Sequence, residues 1–81
     1  MISVKILGTG CKKCTNLEQI VRDMVKDNNI DAEVEKVTDF TEIMKYGILA
    51  TPGLVINEKV VSFGVIPSKD KILTWLNEGG K

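Results

Sequence analysis

Cys11 and Cys14 are the residues of this 81-residue chain with the widest chemistry. They stand in the run Gly-Thr-Gly-Cys-Lys-Lys-Cys, residues 8–14, with Lys12 and Lys13 between them. Two thiols at this spacing can cycle between dithiol and disulfide, hold a soft metal ion, staple the chain, or lie inert. The chain has no histidine, so the commonest general base and the commonest metal ligand are both missing. A closed zinc site needs four ligands, and two thiolates supply half of them, so Zn(II) would require a dimer. Cu(I) is satisfied by two thiolates. As a staple the pair is weak: closing a four-residue loop gives about 2 kcal/mol, against about 3 kcal/mol for fifteen residues. The flanking glycine and lysine argue against burial of both thiols.

The elements that must position these thiols are legible in the hydrophobic periodicity. Ile2, Val4 and Ile6 alternate with Ser3 and Lys5, a strand pattern that Gly8-Thr9-Gly10 interrupts. From Cys14 onward the period changes. Leu17, Ile20, Val21, Met24 and Val25 fall on one helical face, and Asp27-Asn28-Asn29 ends the helix. Ala32 and Val34 alternate with Glu33 and Glu35, which reads as an edge strand with one charged face. Asp39 and Glu42 have capping-box spacing ahead of an apolar stripe of Phe40, Ile43 and Met44, and Gly47 fits a left-handed stop. Leu54-Val55-Ile56 and Val60-Val61 flank a turn at Asn57-Glu58-Lys59, a hairpin. Ser68 caps a last helix carrying Ile72, Leu73, Trp75 and Leu76, which Gly79-Gly80 terminates. Met24 and Met44 on apolar stripes read as core filling rather than copper ligands.

The order is βαβαββα. A right-handed crossover makes the first βαβ unit a parallel pair, and the hairpin adds two antiparallel strands. The expected fold class is α/β: a four-stranded mixed sheet flanked by three helices in a single domain over residues 1–81.

The thiols therefore sit where a strand ends and a helix begins. Unpaired amides and the helix dipole favour negative charge at a helix start, so a Cys11 thiolate is favoured below the free-thiol pKa of about 8.5. Lys12 and Lys13 add positive charge. Cys14 lies one turn further along on nearly the same face, within disulfide reach, and more covered. That asymmetry makes Cys11 the attacking thiol and Cys14 the resolving one. Thr51-Pro52 begins the hairpin strand, where a proline is tolerated, beside the end of the first strand.

Bulk properties set limits on the function. Eleven basic and eleven acidic residues cancel, and the pI is near 6.2. Such a chain lacks the electrostatic footprint of a nucleic-acid binder and the polybasic run of a membrane-surface protein. No apolar run approaches a spanning helix, and residues 1–10 carry no secretory pattern, so a cytoplasmic home is the default expectation.

Taken together, Cys11-Lys12-Lys13-Cys14, Tyr46-Gly47-Ile48 followed by Pro52, and Ser62-Phe63-Gly64 followed by Pro67-Ser68-Lys69 resemble the thioredoxin/glutaredoxin superfamily over essentially the whole chain. The resemblance implies a thioredoxin-like fold and a thiol–disulfide oxidoreductase working through a redox-active Cys11–Cys14 disulfide, with no other cofactor. It implies Cys11 as nucleophile, Cys14 as resolving thiol, Pro52 as the cis-proline, Thr51 as the residue pairing with substrate backbone, and Gly64 as the groove glycine. Gly10, Lys12 and Lys13 border the thiol and are expected to touch substrate. Implied partners are protein disulfides and a dithiol or flavoprotein reductase, met by a monomer. The chain departs from the thioredoxin pattern in three places: Gly10 replaces the usual Trp, two lysines replace Gly-Pro, and the first strand holds no acid. The glutaredoxin Cys-Pro-Tyr-Cys and its usual Val before the cis-proline are absent as well. The alternative, a Cys-x-x-Cys module that binds or delivers Cu(I) or Zn, fits less well. Copper carriers of the ferredoxin-like type have Met where Thr9 stands, and they end in a strand rather than the helix around Trp75.

Overall fold

The computed structural model describes residues 2–79. Its elements run β1 (Ile2–Leu7), α1 (Lys12–Asp27), β2 (Ala32–Val37), α2 (Phe40–Met44), β3 (Gly53–Ile56), β4 (Lys59–Phe63) and α3 (Lys69–Gly79). The βαβαββα order and the mixed four-stranded sheet are those expected. Sheet order is β2-β1-β3-β4, with β1 parallel to β2 and antiparallel to β3, and β3 antiparallel to β4. β2, with Glu33 and Glu35 along one face, is an edge strand as its pattern indicated.

The alternation of β1 divides the core into two layers. Ile2, Val4 and Ile6 point to one face, where they meet Leu17 and Val21 of α1, Leu54 and Ile56 of β3, and Ile72 and Leu76 of α3. These side chains are buried, each contributing about 1.5–3 kcal/mol by leaving water. Met24 and Trp75 pack at the margin of this cluster. On the other face Leu7, Val55 and Ile43 make a smaller cluster under α2.

Several details differ from the sequence reading. Of the expected α2 stripe only Ile43 is buried, while Phe40 and Met44 are 65% and 59% exposed. Within α2 only Ile43 is turned onto the sheet, where it packs with Leu7 and Val55. Met44 is therefore not core filling. Asp39 caps α2 by accepting from the Thr41 N–H at 3.0 Å, and Glu42 pairs with Lys45 at 3.0 Å. The hairpin turn is two residues long, Asn57 and Glu58, both at positive φ, with Lys59 already in β4. That backbone matches the right-handed twist of the strands. A bulge follows: Leu54 faces Ser62 and Val55 faces Val60, leaving Val61 as the extra residue. α3 is described as far as Gly79, and Gly80, the other half of the expected stop, lies outside the described residues.

Two local features bear on stability. The α2 face of the sheet holds a polar network in which Lys5 Nζ donates to Glu58 at 3.0 Å and to the Tyr46 hydroxyl at 3.2 Å, and Tyr46 donates to Glu58 at 3.3 Å. The hydrogen bond from Lys5 is the main cause that holds the Glu58 carboxyl below its ordinary range. A carboxyl depressed in the folded state stabilises the fold above its unfolded pKa, and that contribution fades as pH falls through the folded value. The second feature is the β1–α1 turn. A Cβ on Gly8 would overlap Cys14 Sγ and stand 2.7 Å from Cys14 Cβ, so only glycine lets α1 seat against the end of β1.

Gly8→Ala is expected to destabilise the protein by about 1–3 kcal/mol, seen as a lower denaturant midpoint at unchanged slope. Glu58→Gln is expected to flatten the loss of stability between about pH 6 and pH 3, measured by urea melts across that range. Because Glu58 is 65% exposed, the difference between variant and parent should shrink in high salt.

Candidate functional site

Sequence-distant residues meet at one end of the sheet because of register. Leu7, the last residue of β1, faces Gly53, the first of β3, and Gly53 faces Phe63, the last of β4. The Cys11 loop, the Thr51-Pro52 segment and Gly64 therefore leave the sheet at the same edge. Gly64, at φ +80°, donates its N–H to the Pro52 carbonyl at 2.8 Å, and a Cβ there would come within 3.3 Å of Ala50. The Thr51–Pro52 peptide is cis. Pro52 is fully buried and Thr51 half-buried. Among the described residues the backbone N–H and C=O of Thr51 have no hydrogen-bond partner.

Cys11 is the N-cap of α1, in extended conformation with φ −64° and ψ 162°. Its Sγ accepts the Cys14 backbone N–H at 3.2 Å, and its carbonyl accepts the Thr15 N–H at 3.0 Å. A sulfur thus fills the role that a serine or aspartate oxygen fills at most helix starts. The two cysteines are joined as a disulfide with a Cα–Cα distance of 5.1 Å. Their surroundings differ: Cys11 is exposed and Cys14 is 1% exposed. The asymmetry follows from the fold, since Cys14 is the first inward position of the α1 stripe that continues through Leu17 and Val21.

Gly10, at φ +94°, turns the chain into Cys11, and no atom lies within 4 Å of the space its Cβ would take. Lys12 and Lys13 are exposed in the first turn of α1, which carries no acid. All eight residues singled out in the sequence are therefore placed at this end of the sheet. Sequence reasoning missed two others. Gly8 was read only as a strand breaker, yet it admits Cys14. Gly53 leaves room for Ile48 Cδ1, which would stand 2.8 Å from an added Cβ, and thereby supports the loop before Pro52. Glycine in the strand itself was the available signal. As for metal, no cluster of three or more Cys, Asp or Glu forms among the described residues, so any ion here would be held by two thiolates, a donor set suited to Cu(I).

The family model described as "Thioredoxin domain" matches residues 2–77. A thioredoxin of Methanothermobacter thermautotrophicus is 39% identical over 72 residues, covering 89% of this chain and 94% of that protein. A thioredoxin of Methanocaldococcus jannaschii is 40% identical over 72 residues, covering 89% and 83%. Among solved structures, the germline-specific thioredoxin Deadhead of Drosophila melanogaster superposes with a TM-score of 0.68 over 95% of this chain and 79% of that one, at 17% identity, a likeness of fold. The matched span takes in the strand-to-helix junction, the buried and the exposed sulfur, and the Pro52 edge alike: the chain belongs to the thioredoxin family and is a thiol–disulfide oxidoreductase.

Proposed function

We propose that the reduced protein is a disulfide reductase for protein substrates, with Cys11 as nucleophile and Cys14 as resolving thiol. The observation that carries this assignment is the unequal exposure of the two sulfurs, Cys11 open to solvent and Cys14 at 1%. The Cys11 thiolate attacks one sulfur of a substrate disulfide, whose S–S bond breaks, and the departing thiolate takes a proton. Cys14 then gives up its proton and attacks Cys11 Sγ. The mixed disulfide breaks, the second substrate thiolate leaves and is protonated, and the Cys11–Cys14 disulfide forms. Counted from the dithiol, two electrons pass to the substrate, and its two thiols take from solvent the two protons that Cys11 and Cys14 release to it. The Cys14 proton goes to water, since the one charged residue of β1, Lys5, is engaged with Glu58 and Tyr46 on the other face of the sheet.

The substrate segment lies extended along Thr51, whose backbone groups have no partner among the described residues and suit strand-like pairing, with Pro52 and Gly64 forming the floor beside Cys11. Gly10, Lys12 and Lys13 border the attacking sulfur. A dithiol or flavoprotein reductase returns the protein to its reduced form, no cofactor beyond the cysteine pair takes part, and the protein works as a monomer in the cytoplasm. No described helix is long and apolar enough to cross a membrane.

Cys14→Ser is expected to accumulate a mixed disulfide on Cys11 when the reduced variant meets a disulfide-bonded protein such as insulin, read as a mass adduct that dithiothreitol reverses. Cys11→Ser should form none. Equal trapping by both variants would reverse or erase the assignment of roles.

A further inference from the structure

Eleven basic and eleven acidic residues cancel in the sum, but they do not cancel in space. α1 and α3 pack against the same face of the sheet and against each other. Both begin at the disulfide end, because α1 follows β1 and α3 follows β4, and both of those strands finish beside Gly53. Their first turns bring Lys12, Lys13, Lys69 and Lys71 to that end. All four are exposed, and none is in an ion pair among the described residues. Asp70 is the one acid in these two first turns. The amide dipoles of both helices add positive potential at the same place. Near by on α2, Asp39 is occupied in capping and Glu42 is paired with Lys45. The opposite end of the molecule has the other sign: Asp23, Asp27, Asp31 and Glu78 are exposed there against Lys26 and Lys59. Lys12 and Lys13 oppose the α1 dipole, so they do not serve helix stability.

We infer that the disulfide end is a receptor for disulfides carried in acidic protein segments, whose carboxylates lie over the first turns of α1 and α3 while the disulfide is presented to Cys11. This deepens the oxidoreductase reading and rests on it. The redox step is unchanged, two electrons passing from the dithiol to the partner and protons exchanging through solvent, and the lysines act on the encounter. A molecule with one positive end orients an acidic partner before contact, and salt weakens the effect because the Debye length is about 10 Å at 0.1 M.

The test uses three synthetic peptide dimers, each joined by a disulfide through a central cysteine flanked by Glu, Gln or Lys. The reduced protein is mixed with each, and peptide thiol is followed by chromatography. Every rate is divided by that of dithiothreitol with the same peptide, which removes the effect of the flanks on the disulfide itself. At about 20 mM salt the Glu peptide should react about ten-fold faster than the Lys peptide, and the ratio should fall several-fold by about 300 mM. In the Lys69→Glu/Lys71→Glu double variant the ratio should drop at least about three-fold, with the Gln peptide within about two-fold of the parent. Equal Glu and Lys rates at low salt, or a ratio unmoved in the double variant, would overturn the inference. So would glutathione disulfide, normalised alike, reacting faster than the Glu peptide, because the positive end would then belong to a small anion. Failure of the parent protein with the Gln peptide would sink the oxidoreductase reading itself, an outcome distinct from the loss of charge preference.

Discussion

The hydrogen bond from the Cys14 N–H to Cys11 Sγ, at 3.2 Å, is the interaction on which the arrangement depends. The first amides of a helix have no partner within it, and something must accept from them. Here the acceptor is sulfur. In the reduced protein the same helix start would favour negative charge on Cys11, so the proposed activation of the thiol and the initiation of α1 share one backbone feature. Moving the helix start by one residue would remove both. This is why the close approach at Gly8 matters: it sets how near α1 can come to the end of β1 and so fixes the residue that becomes the cap.

The edge proposed for docking depends on a different constraint, strand register. Pro52 and Gly64 come to the same end of the sheet as the Cys11 loop because Leu7, Gly53 and Phe63 are aligned across three strands. Inward side chains on both faces of β3 hold that alignment, with Leu54 and Ile56 in the larger cluster and Val55 in the smaller. A slip of one residue would turn every one of them to the wrong face. The bulge at Val61 and the two-residue turn at Asn57-Glu58 absorb the twist at the outer edge and leave the alignment beside Cys11 intact.

Much of this is legible in the sequence, and for identifiable reasons. The α1 stripe of Leu17, Val21 and Met24 is long enough for its period to declare a face, and the alternation in β1 and β2 does the same for strands. The cysteine pair is legible because a glycine-rich break separates a strand pattern from a helix pattern at that point. What escapes is decided by close approach or by partners far along the chain. Phe40 and Met44 look like core by spacing, but the way α2 is set on the sheet, which its own sequence does not reveal, covers only Ile43. Gly8 and Gly53 are required by atoms that their neighbours in sequence do not reveal. Lys5 finds Glu58 and Tyr46 across 53 and 41 residues, and no local pattern anticipates that.

In the reduced protein the helix start is expected to favour a Cys11 thiolate while Cys14 stays covered. The most direct test is the rate of iodoacetamide alkylation of the fully reduced protein as a function of pH, with the modified residue located by peptide mapping. The account predicts modification at Cys11 first, with an apparent pKa clearly below the free-thiol value of about 8.5. An apparent pKa at or above that value, or equal modification of Cys11 and Cys14, would contradict it.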